Sequence, residues 1–280
     1  MTLHDALRQG ARMLQEGGIG VPRLTAEVLL AHQLSVERIY LFAHPEREFT
    51  GPEWLGYQDL LNERLSGKPT QYITGHQEFY GRDFQVSPDV LIPRPETEHV
   101  VELALRLSPG ARRILDIGTG SGALAVTLRL EMGVETWGTD ISPAAARVAA
   151  SNAARLHAPV HFVVCDLMDA VATASMDLIV SNPPYVPLGH REGLQREVRD
   201  FEPHLALFSG PSGFEIYDRI AAGAPRVLRP GGWLIFELGF TSLDHVRALL
   251  ARWDEVQVVP DLAGIPRVIA ARRPAGSFGS

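Results

Sequence analysis

Cysteine is nearly missing: Cys165 is the single one in 280 residues, which excludes an internal disulfide and a zinc site built on cysteines. Long apolar runs are missing too, since none approaches the roughly 20 residues of a membrane helix. The first residues, with Asp5 and Arg8 early in an amphipathic pattern, lack a signal-peptide core, so a cytoplasmic protein without a membrane partner is expected. There is no acidic or basic block, no low-complexity tract and no internal repeat, which excludes the disordered and fibrous classes. A formal charge of −7 offers no visible basic track for phosphates, so no stable nucleic-acid partner is expected. His76, His99, His190 and His204 are scattered without metal-ligand spacing, and no metal is expected.

What is present is a chain long enough for two domains of unequal size. Up to about Gly67 the pattern is helical. Leu3, Leu7, Ala11 and Leu14 share a face, and Thr25 precedes the apolar run Val28, Leu29 and Leu30. From Gln71 to Val90 alternating and aromatic residues around Gly81-Arg82 predict a β-hairpin or a pair of short strands as the linker between domains, followed by a loop at Pro93-Arg94-Pro95 and a helix over 96–107. Strands over 114–117, 136–139, 161–164, 177–181 and 233–238 then alternate with helices after Ser121 and Pro143 and over 213–228 and 242–253. A last strand pair lies near Val256 and Val268. This alternation predicts an α/β domain with a mostly parallel sheet covered on both faces. No apolar stripe is left over once both domains pack, so a monomer is expected.

The run Asp116-Ile117-Gly118-Thr119-Gly120-Ser121-Gly122 follows the first strand of that domain. Its glycines remove side chains where a strand turns into a helix, and the helix N-terminus offers free N–H groups to a polar ligand. The spacing is Gly-x-Gly-x-Gly, an imperfect match to the dinucleotide fingerprint, which counts against hydride transfer. Asp116 either orients this loop or meets the cofactor's amino group. Asp140 ends the next strand 20 residues past Gly120, with Ile141 beside it, where a carboxylate accepts from ribose hydroxyls; as a helix cap, Ser142 is better placed. Asp166 has two open readings, an acceptor for an adenine amino group or a helix cap, while Leu167 would pack on the ring.

Ser181-Asn182-Pro183-Pro184-Tyr185 follows an apolar strand in the fourth position, at the sheet edge where ligands bind. An amide or aromatic-amine nitrogen has a delocalised lone pair and must be positioned. The Asn182 side-chain oxygen can accept one N–H and the Pro183 carbonyl the other, the paired prolines stiffen the loop, and Tyr185 offers a ring face to a planar group. As a mere rigid turn the motif would be unremarkable. Its agreement with the glycine loop and Asp140 on one site favours in-line methyl transfer to a planar nitrogen, with Asn182, Pro183 and Tyr185 as the catalytic set.

With those motifs in place, the chain resembles the release factor glutamine N5-methyltransferases (PrmC/HemK family). The resemblance also runs through residues 67–75, 79–81, 86–88, 91–98, 115–122, 140–143, 199–203 and Gly231-Gly232. It implies a seven-stranded, Rossmann-like class I methyltransferase sheet over 94–280, a small all-helical substrate-recognition domain over 1–70 and a β-hairpin linker over 71–93. It implies S-adenosylmethionine as the methyl donor, with S-adenosylhomocysteine as product, and the glutamine of a Gly-Gly-Gln motif in peptide chain release factors as acceptor. By position, Gly118, Thr119, Gly120, Ser121, Gly122, Asp140, Leu167 and Asn182 would line the cofactor, and Asn182, Pro183, Pro184 and Tyr185 would hold the glutamine. Leu167 stands where the family often has an aromatic residue. Arg94, Pro95 and Thr97 would close over the site, although Arg94 tying the linker to the core is an equal reading. Glu202-Pro203 would fix the loop over 186–199. The competing acceptors are a ribosomal-protein glutamine and the exocyclic amine of a nucleic-acid base, on which Tyr185 would stack.

Overall fold

The computed structural model describes residues 1–276, so the last four residues of the expected 94–280 domain lie outside the described residues. Two compact units emerge: residues 1–76 together with 195–201, and the remainder. The first unit is helical, with α1 (Leu3–Glu16), α2 (Pro22–Leu34), α3 (Arg38–Ala43), α4 (Gly51–Leu65) and α5 (Thr70–Thr74). Thr2 caps α1 in a capping box, its hydroxyl accepting from the Asp5 N–H at 3.2 Å while the Asp5 carboxylate accepts from the Thr2 N–H at 3.3 Å. Thr50 and Glu53 repeat the device at α4. Leu3, Leu14, Leu29, Leu30 and Leu61 are fully buried together, and Tyr57 donates from among them to the Ala26 carbonyl at 3.1 Å. Thr25 and the apolar run after it both lie inside α2, which starts at Pro22, where the fixed φ of proline suits a first helical turn.

The hairpin is shorter than the alternating run suggests. Residues 70–74 are helical, ended by Gly75 at φ 79°, and only β1 (His76–Phe79) and β2 (Arg82–Gln85) pair. Tyr80 and Gly81 both have positive φ, the geometry of a two-residue hairpin turn. After a 3-10 turn over Pro95–Thr97 come α6 (Glu98–Leu107), β3 (Arg113–Ile117), α7 (Ala123–Met132), β4 (Glu135–Asp140), α8 (Pro143–Arg155), β5 (His161–Val164) and β6 (Met176–Ser181). A segment of short pieces follows: β7 (Val186–Pro187), a 3-10 turn over Leu188–Gly193, α9 (Arg196–Phe201), α10 (His204–Leu207) and β8 (Phe208–Gly210). The chain continues with α11 (Glu215–Val227), β9 (Leu228–Glu237), α12 (Leu243–Leu249), β10 (Asp254–Pro260) and β11 (Pro266–Arg272).

Seven strands form one sheet in the order β10-β11-β9-β6-β3-β4-β5, parallel except where β11 runs against β9 and β10. Successive residues face opposite sides, as a strand requires. Ile114, Leu178, Val180, Ile235 and Ala270 enter one core, which also contains Val100 and Leu124 from α6 and α7. Leu115, Ile179, Leu234, Phe236 and Ile269 enter the other, with Tyr217 of α11 and Val246 of α12. The chain leaves β3 to one side for β4 and β5 and to the other for β6 and β9. That makes the carboxyl end of β3 the topological switch point, where such sheets open a crevice. Among the described residues no helix is long and apolar enough to cross a membrane.

Candidate active site

At the switch point the chain turns from β3 into α7 through Gly118 (φ 72°), Gly120 (φ 54°) and Gly122 (φ 83°), values that favour glycine. A Cβ at Gly118 or Gly120 would meet nothing within 4 Å, so the space over this backbone is open to a ligand. Gly122 has another duty. A Cβ there would sit 3.1 Å from the Ala149 Cβ, so its glycine lets α7 approach α8, and it is not among the cavity-lining residues. The N–H groups of Gly118 and Thr119 both donate to the Thr139 carbonyl at 2.9 Å, which anchors the loop to the end of β4.

Asp116 is buried beneath the loop. One carboxylate oxygen accepts from the Thr119 hydroxyl at 2.7 Å and the Ala125 N–H at 3.2 Å; the other has no partner, and the residue lines the cavity. Burial pushes its carboxyl up to about 7, against the pull of those two hydrogen bonds, and nearby Asp140 adds to the rise. Asp116 therefore both orients the loop and leaves a buried acceptor available to a donor in the cavity. The Asp140 carboxylate accepts from the Gly120 N–H and the Ser142 N–H, each at 2.9 Å, while the Ser142 hydroxyl caps α8 by accepting from the Ala145 N–H. Each oxygen thus accepts one hydrogen bond and has capacity for a second, and Asp140 and Ile141 both line the cavity.

Asp166 and Leu167 line the same cavity. Asp166 pairs with Arg219 of α11 at 2.8 Å and caps no helix; both side chains are substantially exposed, so the pair contributes little to stability. Leu167 sits at φ 48°, in the left-handed region that costs a branched side chain energy, a form of strain that gathers at ligand sites.

Ser181 closes β6 by donating its hydroxyl to the Ile117 carbonyl at 2.7 Å, which brings residues 182–185 beside the glycine loop. The Asn182 side-chain N–H donates to the Thr97 hydroxyl oxygen at 3.2 Å, and the Thr97 hydroxyl donates to Glu237 at 2.5 Å. Thr97 and Glu237 are buried, whereas Asn182 is part-buried. Asn182, Pro184 and Thr97 line the cavity, whereas Pro183 and Tyr185, both expected to hold the acceptor, are not among its lining residues. The Tyr185 ring rests against Gly239, where a Cβ would come within 2.7 Å of it, and burial pushes its hydroxyl up to about 12, so it remains a neutral phenol.

Arg94 does not line the cavity. It forms an ion pair with buried Glu202, whose other oxygen accepts from the Ile92 N–H at 3.3 Å. The structural reading of Arg94 is thus the one its contacts support, and Glu202 fixes the loop whose Pro203, Leu205 and Phe208 form the cavity's far wall. The cavity measures about 360 Å³, within the range of cofactor sites. Sequence reasoning missed Glu237, Gly239 and Arg219. The signal for Glu237 was a carboxylate closing the apolar strand Trp233-Leu234-Ile235-Phe236, a place where solvent exposure is the ordinary expectation.

A family profile described as PrmC N-terminal domain matches residues 5–75, and one described as methyltransferase small domain matches residues 101–197. The chain is 48% identical over 278 residues to a release factor glutamine methyltransferase of Koribacter versatilis, covering 98% of this chain and 99% of that one. It is 42% identical over 281 residues to the corresponding protein of Moorella thermoacetica, with coverage of 98% and 99%. A solved methyltransferase from Pyrococcus furiosus, 18% identical, has the same fold at a TM-score of 0.53 over 70% of this chain and 91% of that one.

Proposed function

This chain belongs to the release factor glutamine methyltransferase family, and on that premise we propose that it methylates the side-chain nitrogen of the glutamine in the Gly-Gly-Gln motif of peptide chain release factors. The observation that carries the reading is Asn182. Its N–H is engaged by Thr97, which leaves its Oδ1 as the free acceptor of a carboxamide at the cavity edge. A primary amide has two N–H donors and one weakly nucleophilic nitrogen. Asn182 Oδ1 accepts one hydrogen and the Pro183 carbonyl the other, which turns the nitrogen lone pair toward the glycine loop. Tyr185 supplies a neutral aromatic face along the amide plane.

S-adenosylmethionine fits the remaining groups and, when bound, supplies an electrophilic methyl on a sulfonium. Asp140 would accept from its ribose hydroxyls, and the unpartnered Asp116 oxygen from its ammonium. Gly118 and Gly120 would allow close approach of its backbone-facing atoms, with Asp166 and Leu167 at the adenine end. Positioning does most of the work, since the new C–N bond forms on a nitrogen already held by two acceptors. The amide proton displaced as the C–N bond forms leaves along one of those hydrogen bonds and passes to solvent water, since neutral carbonyl oxygens orient it but do not keep it. The reading places the protein in the cytoplasm as a monomer acting on a protein substrate. Asn182→Ala should lower methylation of a release factor by about 10²-fold or more in kcat, the scale of losing one preorganised partner, with donor affinity changed far less. Equal rates for the two proteins would remove Asn182 from the mechanism.

A further inference from the structure

The hydrogen-bond chain behind Asn182 has a direction, and that direction decides what Asn182 offers to the acceptor. An ionised carboxylate only accepts, so with Glu237 ionised the Thr97 hydroxyl must donate to it, as it does at 2.5 Å. The Thr97 oxygen is then left as an acceptor, which Asn182 satisfies with its side-chain N–H at 3.2 Å. The carboxamide is thereby held with Oδ1 turned away from Thr97. A protonated Glu237 can instead donate to Thr97, freeing the Thr97 hydrogen for Asn182 Oδ1 and allowing the carboxamide to flip. A flipped Asn182 presents an N–H to the acceptor amide, where an oxygen is needed.

We propose that Glu237 is a positioning residue that, through Thr97, sets which edge of the Asn182 carboxamide faces the substrate. The inference rests on the reading that the acceptor is a primary amide held by Asn182. Glu237 is well built for this duty, being 3% exposed at the carboxyl end of β9. Its own carbonyl accepts from the Tyr217 hydroxyl at 2.7 Å, which fixes the strand end. The charged and titratable groups around it are Glu96 and Arg94 beside the 95–97 turn, Arg267 on β11, Tyr185 after β6 and Tyr217 on α11. Burial raises the Glu237 carboxyl to about 7; Glu96 adds to this, and the Thr97 hydrogen bond, Arg267 and Arg94 oppose it. Asn182 thus loses its imposed orientation as pH falls through the neutral range.

The test is the pH profile of kcat on a release factor at saturating methyl donor, so that Asp116 and the donor site do not limit the rate. It compares wild type, Glu237→Gln, Thr97→Val and Thr97→Ser, with donor affinity measured by calorimetry to verify folding. Wild type should lose rate toward tenfold per pH unit below about 7. Glu237→Gln, which keeps the shape but can donate to Thr97, should be about tenfold slower at pH 8 and lack that acid limb. Thr97→Ser, which retains the hydroxyl, should recover most of the rate that Thr97→Val loses. A Glu237→Gln enzyme within twofold of wild type with an unchanged acid limb would overturn the inference, as would equal rates for the two Thr97 variants. Failure of the wild type itself to methylate any release factor would instead overturn the acceptor assignment, and this inference with it.

Discussion

The buried carboxyls of Asp116 and Glu237 set stability against activity as pH changes. Both are buried carboxyls raised to about 7 from ordinary values near 4, so the folded protein holds protons that the unfolded chain releases. Their contribution to stability is therefore complete below about pH 4 and is lost as pH rises through about 7, while Asn182 needs Glu237 ionised. Asp116→Asn keeps the oxygen that accepts from Thr119 and Ala125 and removes the buried charge. In cofactor-free protein it should therefore gain stability relative to wild type at pH 8, an advantage that shrinks steadily as pH falls from about 7 toward about 4, as measured by urea unfolding. A difference that does not change with pH would mean Asp116 is not protonated in the fold. At this scale Asp140 and Asn182 were legible because Asp140 ends β4 next to the glycine loop and Asn182 directly follows β6 at the head of a proline turn. The Thr97–Glu237 bond was not, since it joins residues 140 positions apart and only the packed sheet brings them together.

Among elements, the seven sheet strands were legible in their alternation with helices, and the two-core split follows from the period-2 alternation along β3, β6, β9 and β11. The hairpin was mis-sized because Pro69 starts and Gly75 ends a helix that the aromatic pattern over 71–74 conceals. The pieces over 188–207 are too short to carry any periodicity. Two glycines decide how elements meet. Gly122→Val would add a branched side chain at φ 83° and 3.1 Å from Ala149, and should cost about 1–3 kcal/mol of stability in urea titration. Gly239→Ala would press on the Tyr185 ring and should raise KM for the acceptor several-fold while leaving donor affinity near wild type; an unchanged KM would separate Tyr185 from acceptor binding.

For the whole molecule, the division into units is not a division of the sequence. Residues 195–201 belong with the helical unit, where Glu197 pairs with Arg64 at 2.6 Å, although they lie between parts of the sheet unit. Nothing local announces this, because Arg196–Phe201 looks like any short polar helix. Hydrogen exchange on a fragment lacking residues 1–76 should find 195–201 unprotected and the glycine loop protected, since the sheet unit has its own two cores. Protection of 195–201 in that fragment would mean the segment folds without its helical partners.

The acceptor is the central claim. Purified protein with isotopically labelled S-adenosylmethionine would be offered a release factor, the same factor with its Gly-Gly-Gln glutamine changed to alanine, ribosomal proteins and nucleic acid, each separately. Label on the intact release factor alone, mapped to that glutamine by mass spectrometry, is the predicted result; label on ribosomal protein or nucleic acid, or on the glutamine-to-alanine factor, would contradict it.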